Sequence, residues 1–372
     1  MKRMMIFGVL FTAAVFFGSA ECAAAPHPDP YQSHPRLVVD IDYFYDALTP
    51  YGLWVSDEPY GACWAPDVAD DWSPYGADDG YWVRSDYGWT WVSDEPWGWA
   101  TYHYGRWAWT DDYGWVWVPG NEWAPAWVAW RYGGGMVGWA PLPPEARWDV
   151  GVGFSIGNFE GLIRPRAWCF VHDRDFLRPH VGRYRLRDRE GAQWMRTTKD
   201  ATRYVEANGR IINEGVDVRN IEKRTGRRIP VLRVTDRPDP HRAVVRGRDI
   251  GIYRPEIRSA GNPGERQLRP PEMVARQVNE NRQALLRQRE DRARFDDRYR
   301  NRIMSLPPAE RQGVARRMTD DQRRLYETQR IERRQIMQRN ARGLGNPRDR
   351  DHRTTRDQPE PNQRGAAGGG HK

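Results

Sequence analysis

The sequence predicts an α+β protein: a β-rich N-terminal half of successive antiparallel hairpins around a tryptophan-rich core, then a small mixed module, then a helical C-terminal arm. Seventeen of the nineteen tryptophans fall between Trp54 and Trp148, within near-copies of one phrase: YGLWVSDEPYGACWAP (51–66), GYWVRSDYGWTWVS (80–93) and GRWAWTDDYGWVWVPG (105–120). Trp82 and Trp107 are 25 residues apart, and Trp89 to Trp115 and Trp91 to Trp117 are each 26. A period of this size marks repeated supersecondary units that stack to share a core. Beyond residue 260 the aromatic phrases give way to long Arg/Glu/Asp-rich runs with sparse apolar residues, the texture of solvated helix.

Residues 1–24 read as a leader. Lys2 and Arg3 precede an apolar stretch over 6–17 that is too short for a mature membrane span, and small residues follow at Gly18, Ser19, Ala20 and 22–25. Cleavage after Ala24 satisfies the small-x-small rule with Cys22 and Ala24. Glu21 stands where a lipidated Cys22 would want a small residue. The expectation is an exported bacterial protein, periplasmic or envelope-associated, with residues 25–42 as a linker.

The hairpin domain spans 43–148. Trp89 and Trp91 are two apart and project from one face of a strand, as do Trp115 and Trp117. The tetrads 85–88 and 111–114 place Asp early and Gly last, as a type I turn closed by a left-handed glycine requires. A further hairpin is expected from Trp127 to Trp139 around Gly133, Gly134 and Gly135, and prolines between the runs limit helix. Leucine is nearly absent, so indoles burying ~150–250 Å² each would replace an aliphatic core. Trp89, Trp91, Trp115 and Trp117 are read as that core. The segment WGWATYHYGRW lies instead in a proline-preceded connection, where exposed aromatics suit sugar rings. Trp97, Trp99, Tyr102, His103, Tyr104 and Trp107 are therefore the candidate ligand-binding set, with core packing as the alternative.

If Cys22 leaves with the leader, Cys63 and Cys169 remain, and an even pair in an oxidising compartment predicts a Cys63–Cys169 disulfide. Charge divides the chain: residues 26–150 hold 19 acidic against 5 basic residues, and residues 241–372 hold 18 against 32. Such halves can attract each other, or the basic part can seek an anionic envelope component; nucleic acid is not favoured for an exported chain. A glycan is the other candidate partner. No cofactor is expected. His172, Asp173, Asp175 and His180 do not form a convincing metal set, and no phosphate loop, dinucleotide fingerprint, nucleophile elbow or H-E-x-x-H occurs. The chain is read as a non-enzyme.

Residues 149–260 form the mixed module, with short strands near 151–154, 168–171, 231–234 and 243–245 and a helix over 216–225. The basic helices span 261–342. Pro270-Pro271 opens the first, which runs to about Met304; 306–308 breaks it, Pro308 reopens it, and Thr319-Asp320-Asp321-Gln322 is a capping-box start for another. Residues 343–372 should be a disordered Arg/Asp/Pro/Gly tail.

The run from about Tyr43 to Pro144, with DYGWTWVSDEPWGWATYHYGRWAWTDDYGWVWVPG at its centre, closely resembles a domain of unknown function in exported bacterial proteins. Those proteins carry Tyr-Gly-Trp and Trp-Gly-Trp phrases and are sometimes joined to FecR-like domains. A weaker likeness continues through NGRIINEG and VDVRNIEKRTGRRI to about residue 230. The resemblance implies export and a β-rich fold and supplies no catalytic residues. MTDDQRRLYETQRIERRQIM resembles the helix starts of Spy-like periplasmic chaperones. The expected function is a structural or interaction role in the envelope; the alternatives are a carbohydrate-binding module using exposed aromatics, and a Spy-like chaperone working through the arm.

Overall fold

The computed structural model describes residues 38–40, 43–69, 71–76, 78, 80–149, 151–154, 160–258 and 272–343. The expected leader, most of the linker, the Pro270-Pro271 helix start and nearly all of the C-terminal tail lie outside them.

In chain order, strand β1 (Val38–Asp40) and helix α1 (Tyr43–Leu48) lead into four hairpins. These are β2 (Gly52–Asp57) with β3 (Gly61–Pro66), β4 (Gly80–Ser85) with β5 (Gly88–Ser93), β6 (Arg106–Thr110) with β7 (Gly114–Val118), and β8 (Val128–Gly133) with β9 (Met136–Pro141). The single helical turn α2 (Gly98–Thr101) interrupts them after the second. There follow β10 (Trp148–Asp149), β11 (Gly153–Phe154), β12 (Cys169–His172), α3 (Asp188–Thr197), β13 (Lys199–Asp200), β14 (Tyr204–Ala207), β15 (Arg210–Asn213) and α4 (Val218–Thr225). The body ends with β16 (Arg233–Asp236), β17 (Val244–Arg246), β18 (Asp249–Ile252) and β19 (Glu256–Arg258), and two long helices close the chain, α5 (Glu272–Ser305) and α6 (Pro308–Gly343).

The turn chemistry is the one the tetrads require. Gly61, Gly88 and Gly114 open the second strands of their hairpins at φ of 72°, 87° and 74°, where a side chain would be strained. Each hairpin then sets a tryptophan directly opposite another. The register pairs Trp54 with Trp64, Trp82 with Trp91, Trp107 with Trp117, Trp109 with Trp115, and Trp130 with Trp139. The 25–26-residue period is thus the spacing between the cross-strand indole pairs of the second and third hairpins, Trp82–Trp91 and Trp107–Trp117, and such pairs are the unit that stabilises a sheet. In the sheet ordered β2-β3-β7-β6, Trp64 also faces Trp117, so Trp54, Trp64, Trp117 and Trp107 form one continuous row.

The segment after residue 148 completes these sheets. Strand β12 pairs with β9, β13 with β8, and β15 joins β5 through Asn213 and Gly88. Gly88 permits that approach, since a Cβ there would sit 1.9 Å from the Asn213 carbonyl oxygen. Phe176 lies among Trp82, Trp89, Trp130 and Trp139, with ring centroids 5.0–6.1 Å away. Residues 149–258 therefore share the core of the hairpins, because hairpin sheets of two to four strands leave edges and an inner face to be covered.

Of the four tryptophans read as core, Trp89, Trp91 and Trp117 are fully buried. Trp115 is only half-buried: its row ends at the sheet margin, against the 39 % exposed Trp109. The predicted disulfide is not formed. Cys63 and Cys169 are both free and buried: Cys63 packs with Val55, Ala108 and Val116, whereas Cys169 belongs to the main aromatic cluster opposite Trp139. Burial pushes the Cys169 thiol up to about 12 and raises that of Cys63 further. The helix break at 306–308 is where the sequence places it, but no new helix starts at Thr319. Its hydroxyl donates to the Ala315 carbonyl one turn back (3.1 Å), inside the continuous α6.

Two outcomes are expected. Trp117→Ala should cost about 3–5 kcal/mol in urea unfolding, the range for emptying a large buried site, while Trp109→Ala should cost well under half as much. Alkylation without reductant should label Cys63 and Cys169 fully in denaturant and leave both protected in the native protein.

Candidate functional site

The six aromatics of WGWATYHYGRW do not form a surface. All are buried, Trp97 and Trp99 at 5 % and 6 % exposure being the least so. The segment folds inward because the polar tips of Tyr102, His103 and Tyr104 find partners there. The Tyr102 hydroxyl donates to the Glu95 carboxylate, the Tyr104 hydroxyl to the Pro255 carbonyl (2.5 Å), and His103 Nδ1 to the Ala124 carbonyl (2.9 Å). Trp97 stacks on Tyr102 at 5.7 Å, Trp99 packs edge-on against Tyr253 at 4.9 Å, and Trp107 lies 5.3 Å from Trp72. These residues hold the connection to the sheets; the ligand-binding assignment is corrected on that ground. Nor do His172, Asp173, Asp175 and His180 converge: Asp173 pairs with Arg224 at 2.9 Å and His180 reaches the Asp78 carbonyl. Among the described residues no group of three or more His, Cys, Asp or Glu side chains is placed to hold a metal.

A recess lies where the helices meet the body. Helix α5 lies along β2, the edge strand of its sheet, and Asn281 Nδ2 donates to the Trp54 carbonyl (3.0 Å). Ala284, Ile336 and Met337 close over Leu53. Two glutamines lock the antiparallel helices: Gln288 Nε2 donates to the Gln329 carbonyl (3.2 Å) and Gln329 Nε2 to the Gln288 carbonyl (3.0 Å). Charge completes the junction. Arg333 meets Asp67 at 3.1 Å, with both side chains nearly buried; Arg334 approaches the same carboxylate at 3.6 Å, and Arg289 pairs with Asp112. The acidic hairpins and the basic arm therefore meet within one molecule, and the arm is docked at its base.

Beside that junction an open cleft of about 720 Å³ separates the sheet margin from α5 and α6. Trp109 and Trp115 wall one side, 5.7 Å apart and mutually perpendicular. Asp111 and Asp112 stand on the adjoining turn; Arg292, held over the Tyr326 ring at 4.8 Å, lines the cleft from α5, and Arg166 lines it from the body. This arrangement offers flat apolar faces beside both hydrogen-bond acceptors and donors. From the sequence Trp115 reads as core and Trp109 carries no signal of its own; Arg292 opposite them lies more than 170 residues further along the chain and carries no local signal either.

The architecture defines an α+β protein built on tryptophan-paired hairpins. Residues 45–146, from α1 to just beyond the fourth hairpin, match a family of unknown function (DUF6600). No curated protein and no solved structure matches the chain.

His103 is held neutral: burial lowers its pKa from 6.5 to about 4. The unfolded chain takes up that proton first as pH falls, so the stabilisation is complete above pH 6.5 and is lost between 6.5 and 4. The full loss is about 3 kcal/mol. His103→Gln should flatten the slope of urea-unfolding stability against pH in that window. Asp67→Asn should strand Arg333 without its carboxylate, at a cost of about 3–5 kcal/mol for a buried pair broken on one side. Hydrogen exchange should then speed up over 278–289 and 329–340 more than in the hairpin sheets.

Proposed function

We propose that the protein is an exported, non-catalytic binding protein of the bacterial cell envelope, and that the cleft between sheet and helices takes a carbohydrate chain. The leader-like N-terminus and the resemblance of residues 43–144 to exported bacterial domains support export. The observation that carries the binding reading is the meeting of half-exposed Trp109 and Trp115 with Asp111, Asp112 and Arg292 in one recess. Sugar rings present C–H faces that pack on indoles and hydroxyls that pair with carboxylates and guanidinium groups, so this lining fits them on both counts. The aromatic platform anticipated in WGWATYHYGRW moves to the cleft, and the general role remains interaction rather than chemistry. A Spy-like cradle is less well supported, since α5 and α6 turn their inner faces toward each other and the body.

Titration of intrinsic fluorescence with soluble peptidoglycan fragments and envelope polysaccharides tests this reading. Binding to at least one class is expected, weakened about tenfold or more by Trp109→Ala or Trp115→Ala, a loss of at least ~1.4 kcal/mol. Glycan affinity indifferent to both substitutions, or absent throughout the panel, would refute it.

A further inference from the structure

The arginines of the helical hairpin fall into two groups. Near the body they are answered by acids, as in Arg289–Asp112 and Arg333–Asp67. Toward the free end basic residues prevail: residues 298–317 hold six arginines and one acidic residue, Glu310, with Asp296, Asp297, Asp320 and Asp321 at the margins of the segment. All six arginines are exposed, and Arg298, Arg302, Arg316 and Arg317 form no ion pair among the described residues. At the end itself Met304 is 70 % exposed, next to half-buried Ile303 and Leu306.

This end is a defined platform. Tyr299 bonds to Asp321 across the two helices, the Leu306 amide closes on the Ile303 carbonyl (3.3 Å), and Arg311 Nε caps the Leu306 carbonyl (3.0 Å). At a rise of 1.5 Å per residue, the turn lies roughly 25 Å along the axis from the Gln288–Gln329 lock. The basic group is thus carried well away from the acidic hairpins, where it would otherwise be neutralised.

We infer that the free end of the α5–α6 hairpin is a docking surface for an anionic lipid bilayer. Guanidinium groups make paired hydrogen bonds to phosphate oxygens. A cluster of basic side chains combined with an apolar group that enters the interface gives the two signals that stable peripheral attachment needs. Met304 and Leu306 supply the apolar signal, set directly beside Arg302 and Arg311 in the turn. A soluble polyanion would be matched by the charges alone and would leave Met304 without a role. The inference is independent of the carbohydrate cleft, whose helical wall ends at Asp296 on α5 and Tyr326 on α6 and includes none of Arg298, Arg302, Arg316, Arg317 and Met304.

The purified protein should be tested by flotation with phosphatidylcholine vesicles, with and without about one third phosphatidylglycerol, in 0.1 M salt. Retention is expected on the anionic vesicles only. Each basic side chain near such a surface is worth roughly fivefold in partitioning. Changing Arg298, Arg302, Arg316 and Arg317 together to Gln should therefore reduce retention by over ~100-fold, with the melting temperature and glycan binding unchanged. Met304→Ser should weaken retention severalfold, and inorganic phosphate at the same phosphate concentration should not displace the protein. Equal retention of the fourfold variant, or no retention on anionic vesicles, would overturn the inference. So would binding to heparin beads as strong as to vesicles together with an inert Met304→Ser, since the surface would then serve a soluble polyanion.

Discussion

The fold depends on what a buried indole demands: an extensive apolar contact and, at one edge, an acceptor for its N–H. The hairpins supply the contact by opposing tryptophans in register, but their own ladder carbonyls are occupied. The N–H groups therefore reach into irregular chain. Trp64 donates to the Leu48 carbonyl, Trp89 to Val216, Trp117 to Tyr104 and Trp139 to Tyr75, at 2.7–3.1 Å. Trp130 uses the Asn213 side chain at 2.8 Å. Each bond fixes a segment outside the hairpin to its sheet, so the core and the elements around it are specified together. The indole N–H groups of Trp82, Trp91 and Trp107 have no such acceptor among the described residues. They lie against neighbouring aromatic rings, where weak N–H···π contact is the available compensation.

A core of this kind also explains the buried cations. Arg106 is fully enclosed, its guanidinium 3.5 Å from the Trp127 ring and its Nε bonded to the Ala146 carbonyl. Burial draws its pKa down to about 10, leaving it charged at neutral pH. Arg254 sits between Tyr87 and Trp123 and pairs with Asp236. Aromatic faces substitute for water around these groups in a way that an aliphatic core could not.

The helical hairpin answers a different constraint. The β2 edge would present unpaired backbone groups, and α5 covers it, with Asn281 taking one carbonyl and Leu53 buried beneath Ala284. Docking the helices there leaves the sheet margin at Trp109 and Trp115 facing basic side chains across a gap, which is how the cleft arises. Covering the edge and forming the recess are one event.

The sequence alone determined the hairpins, their turns, the helix break at 306–308 and the indole character of the core. Those features depend on neighbours within a few residues, on strand alternation and on the left-handed glycines. Tertiary structure decided which aromatics are buried. The segment from Trp97 to Trp107 has the composition of a binding surface, yet Glu95, Pro255 and Ala124 draw its polar tips inward, and only folding brings those acceptors near. It also decided that Cys63 and Cys169 stay apart, since parity of cysteines says nothing of the separate clusters into which their strands pack. The junction of acidic hairpins and basic arm was legible as net charge. Its specific pairs, Asp67 with Arg333 and Asp112 with Arg289, were not, because residues about 180 to 270 positions apart meet only through the packing of α5 on β2.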